Sequence, residues 1–117
     1  MDIIEKIDTQ LGTLLDDTDI EYFYGWFDKD INDTHVTFTL ISDNEEDYSD
    51  DNAESINYLI QVDIWSKENM EDLKKIIKKC IKSMDNCTYS DGADLYETDV
   101  KIYHKALRFN VLGDINE

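Results

Sequence analysis

The sequence predicts an α+β fold, a mainly antiparallel sheet with two helices packed on one face. Three observations predict it. Apolar residues recur at three- and four-residue spacing in two segments. Strand-type segments, aromatic or alternating, fill most of the remainder and outnumber the helices. A length of 117 residues holds one domain with one core, since a chain of this size buries roughly two-thirds of its unfolded surface.

Residues 2–16 read as an amphipathic helix. Ile3, Ile4, Ile7, Leu11, Leu14 and Leu15 share its apolar side. Asp2, Glu5 and Asp8 suit the partial positive charge of a helix N-terminus. Residues 20–27 read as a strand built from Tyr22, Phe23, Tyr24, Trp26 and Phe27, with Gly25 marking a bulge or kink. Aromatics this dense cannot all face inward, so some are expected at the surface or in a subunit interface. Residues 28–34 read as a turn. The strand that follows, 35–42, is expected to complete a hairpin, with Val36, Phe38 and Leu40 on one face and Thr37 and Thr39 on the other.

Residues 43–54 hold seven acids in twelve positions and read as a long mobile loop inside the domain. Residues 55–65 alternate cleanly. Ile56, Tyr58, Ile60, Val62 and Ile64 oppose Asn57, Leu59, Gln61, Asp63 and Trp65. Ser66 stands where a helix N-cap belongs. Residues 67–84 then read as the second helix, with Met70, Leu73, Ile76, Ile77, Cys80, Ile81 and Met84 as its apolar stripe. Its early acids and later lysines both complement the helix dipole. Residues 85–98 read as turn-rich around Asp91-Gly92, with short strands at 87–90 and near Leu95-Tyr96. Residues 99–112 read as the closing strand. Val100, Ile102, His104 and Ala106 face one way, and Lys101, Tyr103, Lys105, Leu107, Phe109 and Val111 the other. Residues 113–117 read as a frayed tail. The whole, 1–117, is one domain without internal repeats.

The net charge is −17, from 28 acidic and 11 basic residues. That balance argues against binding a nucleic-acid backbone, which needs a basic face to release counterions. It argues equally against an anionic membrane surface. No segment approaches ~18 consecutive apolar residues, and Met1 to Gln10 lacks an apolar leader core, so the chain reads as soluble and without a secretory signal. Cys80 and Cys87 are then expected to stay reduced.

No catalytic signature emerges, and the chain reads as a non-enzyme without cofactor or metal. Asp63 reads as an outward-facing polar position on a half-exposed sheet. Asp28, Asp30 and Asn32 mimic the start of a calcium loop, but Asp33 replaces its glycine and Thr39 its bidentate glutamate. His35, His104, Cys80 and Cys87 offer few zinc ligands, and Cys80 lies on the apolar helical stripe. The four glycines are too scattered for a phosphate-binding loop.

The second helix carries six of the eleven basic residues, from Lys67 to Lys82, opposite its apolar stripe. Three readings are open for this face: nucleic-acid binding, simple solvation, or docking to an acidic neighbour. A molecule with one basic face and acids elsewhere suits head-to-tail contact between copies of itself.

One stretch carries a resemblance. The strand Tyr58-Leu59-Ile60-Gln61-Val62-Asp63-Ile64-Trp65-Ser66 leads into Asn69-Met70-Glu71-Asp72-Leu73, a Tyr96-Glu97-Thr98-Asp99 step follows, and Tyr103-His104-Lys105-Ala106-Leu107-Arg108-Phe109 closes the fold. This resembles the tail-completion proteins of long-tailed phages and prophages, the tail terminators and head–tail joining proteins. The likeness covers residues 1–112 in element order and about 56–109 in residues. It implies a hexameric ring at the end of the tail tube that stops tube polymerisation and meets the head connector, while DNA passes through without specific binding. The implied location is the virion, with host cytoplasm during assembly. The chain departs from that family in lacking prolines near the hairpin and in its long acidic insertion. The residues expected to carry assembly are Lys74, Lys75, Lys78 and Lys82 on the helix, and Glu45, Glu46, Asp47, Asp50 and Asp51 in the acidic segment. An acidic DNA-mimic inhibitor and another non-catalytic adaptor are the alternatives that charge alone leaves open.

Overall fold

A computed structural model describes residues 2–25, 33–46, 55–99 and 101–114. Seven elements follow in order: α1 (Ile3–Leu15), β1 (Glu21–Tyr24), β2 (His35–Glu46), β3 (Ser55–Ser66), α2 (Glu71–Lys82), β4 (Cys87–Glu97) and β5 (Ile102–Asp114). The five strands form one sheet in the order β1-β2-β3-β5-β4. All neighbours are antiparallel except β1 and β2. Ile3, Ile7, Leu11 and Leu15 of α1 and Ile77 and Ile81 of α2 share one core with alternate residues of the central strands, namely Val36, Phe38, Ile60, Val62, Ile64, Leu107, Phe109 and Val111. Both helices therefore cover the same face of the sheet. The first packs towards β1 and β2, the second towards β4 and β5.

Local chemistry sets the helix ends. The Asp2 carboxylate accepts the Glu5 N–H at 2.8 Å and caps α1. The helices are tied together by Gln10, whose Nε2 donates to the Cys80 carbonyl at 2.9 Å, an acceptor near the end of α2 that is open to such a bond. Gly12 lies where α1 meets β1. A Cβ there would stand 2.8 Å from Tyr22 Oη and 3.0 Å from the Asp16 carboxylate. Its absence lets Tyr22 donate to Asp16 at 2.6 Å.

The sequence reading needs correction at six places. The first two strands do not form a hairpin. β1 runs parallel to β2, pairing Glu21 with His35 and Tyr24 with Phe38. Aromatic composition marks a strand but carries no direction. The direction is set by tertiary contacts, Tyr22 on Asp16 at one end and the Gly25 N–H on the Phe38 carbonyl at the other, where Gly25 has φ +130°.

The acidic segment is not loop throughout. Residues 43–46 extend β2, with Asp43 opposite Tyr58 and Glu46 opposite Ser55. A register shift between Leu40 and Ser42 inserts Ile41 as a bulge and re-aims the strand. Asp43 and Glu45 are exposed, so backbone pairing costs their charges no desolvation. The rest of the expected loop, with Asp47, Asp50 and Asp51, lies outside the described residues, as do the calcium-like positions Asp28, Asp30 and Asn32.

Ser66 does not cap α2, which starts at Glu71. It is buried at the end of β3, lies 2.8 Å from Thr34 Oγ1, and accepts the Glu68 N–H, so it organises the turn before the helix. Within α2, Ile76 is not part of the buried stripe but 49% exposed.

Asp91-Gly92 is not a turn. β4 runs unbroken from Cys87 to Glu97, with a register shift between Tyr89 and Asp91. Glycine is needed at 92 because a Cβ there would collide with Tyr89 Oη and stand 3.0 Å from the Ala106 carbonyl oxygen. Finally, Gly113 and Asp114 belong to β5, opposite Ile56 and Ser55, rather than to a frayed tail; 115–117 lie outside the described residues.

Candidate assembly surfaces

The lysines of α2 divide into two sets. Lys74 and Lys78 lean onto β4. Lys74 Nζ lies 3.2 Å from Asp94, and Lys78 Nζ sits 3.9 Å above the centre of the Tyr89 ring. Lys75, Lys79 and Lys82 are exposed and, with Lys78 and Ser83, line a shallow depression on the outside of the helix. Of the four lysines singled out from sequence, two are thus engaged within the chain and two face solvent. Ile76 lies beside Lys75 and one turn from Lys79.

Of the acids singled out from sequence, Glu45 and Glu46 are among the described residues, on β2, two strands away from β5. Glu45 is exposed on β2, and Glu46 is the last residue of that strand. Among the described residues nothing pairs with the outer edge of β2 beyond Phe38, and this acidic end lies on the α1 side of the sheet, away from the lysines of α2.

A third surface was not anticipated. From Asp91 to Glu97, β4 is exposed at every residue; it is an edge strand of the sheet, and with Thr98, Asp99, Lys101 and the start of β5 it forms an outer arm, a hairpin whose β5 half stays paired to β3 as far as Tyr103. The radius of gyration, 15.4 Å, exceeds the roughly 13 Å of a compact chain of this length, in keeping with an elongated body of 52 × 29 × 23 Å. The arm carries Leu95, Tyr96 and Tyr103 exposed, and the last two rings lie tilted against each other with centroids 4.9 Å apart.

The arm is anchored at its base by ions. Lys105, 95% buried, donates to Glu71 at 2.9 Å and to Asp94 at 3.3 Å. Burial alone pulls its ammonium pKa down, but the two carboxylates overcome this and leave it raised. The hydrogen bond from Lys105 lowers the Glu71 carboxyl. Asp94 is also lowered, because its bonds from Lys74 and Lys105 outweigh its burial. The signal for this network was visible in β5, where Lys105 shares the alternation of Leu107, Phe109 and Val111.

The sheet face opposite the helices holds a buried polar cluster that resembles part of a catalytic site. Asp63 is fully buried rather than outward-facing. Its Oδ1 accepts His104 Nε2–H at 2.6 Å and Gln61 Nε2–H at 2.8 Å. With Asp63 as the carboxylate, His104 Nε2–H is the donor, since a carboxylate can only accept. Gln61 Oε1 accepts from Arg108 Nε at 3.1 Å. The His104 ring lies flat on Trp65, centroids 3.7 Å apart, and Trp65 Nε1 donates to Thr37 Oγ1 at 2.9 Å. His35 and Phe23 continue the stack across β2 and β1 at 6.4 and 5.7 Å. This is an Asp–His pair held by stacking. Among the described contacts no hydroxyl or thiol meets His104, and the cleft of about 560 Å³ beside the start of α1 includes none of these residues. Cys80 and Cys87 have thiols raised by burial, which keeps them protonated and poor nucleophiles at neutral pH. Among the described residues no three His, Cys, Asp or Glu side chains converge as a metal site, and no helix is long and apolar enough to cross a membrane. The chemistry available here is rigid pairing of strands.

No family model matches the chain, and no curated protein is significantly similar to it.

Proposed function

We propose that this chain is a structural virion protein, a tail terminator or head–tail joining subunit. It assembles as a ring of six at the end of the tail tube, stops tube polymerisation and connects the tube to the head. The observation that carries this reading is the separation of charge. Lys75, Lys79 and Lys82 are exposed on α2 in a molecule of net charge −17, whose exposed acids include separate groups at the end of β2 (Asp43, Glu45) and on the β4–β5 arm (Glu97, Asp99). Surfaces that attract each other but do not overlap on one subunit join copies head to tail, and such contacts close into rings. The element order supports the same reading, since it is the order the tail-completion resemblance implies. An acidic lumen repels phosphate and lets DNA pass without trapping it. The partners are further copies, the tail tube protein and the head connector. The protein would act in the virion after assembly in host cytoplasm.

The test is native mass by light scattering across a concentration series, at low and high salt. Salt-sensitive growth towards six subunits, and capping of purified tube protein, are expected. A monomer that neither self-associates nor binds tubes overturns the proposal. It would favour the other use of a −17 charge, a decoy for DNA-binding enzymes.

A further inference from the structure

We infer that the acidic partner of the exposed lysines is the β4–β5 arm of the next copy, rather than the end of β2; this rests on the ring reading above. Inside one chain α2 already binds groups of this kind. Its inner lysines find two kinds of partner on β4, a carboxylate for Lys74 in Asp94 and an aromatic face for Lys78 in Tyr89. Further along, the same strand presents the same two chemistries to solvent. Tyr96 and Tyr103 are 49% and 36% exposed, and Glu97 and Asp99 are exposed beside them. Lys101 at the turn leaves the arm net negative.

Among the described contacts of one chain, no ion pair or ring contact joins these groups to the outer lysines. Glu71, the first residue of α2, is tied to Lys105, and Tyr103 lies two residues further out along β5. A neighbour's arm laid across α2 would give Lys75, Lys79 and Lys82 carboxylates and ring faces of the kind Lys74 and Lys78 already have. It would also set Tyr96 and Tyr103 against Ile76, 49% exposed among those lysines. An apolar centre with a charged rim is the usual build of a protein interface. The end of β2 offers acids but, among its described residues, only Ile41 as an exposed large apolar side chain. The arm and the outer face of α2 are separate patches, so the contact is heterologous and a ring can close.

Charge swapping tests this by light scattering at low salt, with far-UV circular dichroism to confirm folding. Lys75→Glu/Lys79→Glu/Lys82→Glu and Glu97→Lys/Asp99→Lys are each expected to weaken self-association at least about tenfold, and their combination to restore it. If the arm variant assembles like wild type while Asp43→Lys/Glu45→Lys rescues the lysine variant, the arm assignment is overturned and the ring stands. If wild type stays monomeric at every concentration and does not bind purified tube protein, both the contact and the ring reading fall.

Discussion

Asp63 is a buried carboxyl group whose bonds tie β3 to β5. It sits on β3, holds His104 of β5, and is braced by Gln61, which in turn holds Arg108. Removing it strands His104 Nε2–H and Gln61 Nε2–H in a dry site. Asp63→Leu is therefore expected to cost about 1–3 kcal/mol for each buried donor left unpaired. A urea titration checks it, with a lower midpoint and unchanged slope. A cost under about 1 kcal/mol would mean the pair contributes little. Gly12 supplies a second prediction, in which the expected sign is reversed. Glycine to alanine inside a helix ordinarily stabilises by up to about 1 kcal/mol. Here the new methyl would displace Tyr22 from Asp16, a bond strong enough to push the tyrosine hydroxyl up to about 12. Gly12→Ala is expected to lower Tm, and a rise would show that the tyrosine moves aside without loss. Alternation placed Asp63 and Trp65 on one face of β3, but it could not show that this second face is buried. Polar residue type suggested solvent there, whereas His104, Thr37 and Gln61 supply the partners that make burial tolerable.

At the scale of elements, α2 begins without a side-chain cap, at Met70 and Glu71. Ion pairs instead fix this end of the helix to the sheet, since Lys105 binds Glu71 in the first turn and Asp94 on β4. Lys105→Met is expected to destabilise by about 1–3 kcal/mol near neutral pH, the usual range for charged hydrogen bonds at a shielded site. The pH dependence follows from the shifts. Glu71 and Asp94 are held below their ordinary 4.5 and 3.8, so their contribution is present above those values and lost as pH falls through the lowered ones. Lys105 is held above 10.5, so its contribution is present below that and lost as pH rises through the raised value. The gap in Tm between wild type and variant should be widest between about pH 5 and 10 and close in acid. A gap that is constant from neutrality down to pH 2 would assign it to packing of the lysine stem. Element type and order were legible because each long segment keeps a single period. Ends and directions were not. The serine that looked like a cap serves a turn, the Asp-Gly that looked like a turn lies within a strand, and charge repulsion that looked strong enough to melt 43–46 costs little on an exposed strand.

For the whole molecule, charge acts in two opposite ways, and salt separates them. The 28 acids against 11 bases repel one another across one small domain, which weakens the folded state. Salt screens that repulsion over about 8–10 Å at ordinary ionic strength, so Tm of the dilute monomer is expected to rise between 10 and 300 mM sodium chloride (both about). The contact proposed between copies is an attraction between exposed charges, which the same screening weakens. Self-association should therefore fall over the range in which folding stability rises. A single titration, read by Tm at low protein concentration and by light scattering at high, measures both. Opposite slopes would place the attraction between subunits and the repulsion within them. If self-association instead strengthened with salt, the apolar residues of the arm and of α2 would dominate the contact, and the charge-swapped pair would assemble no better than either variant alone.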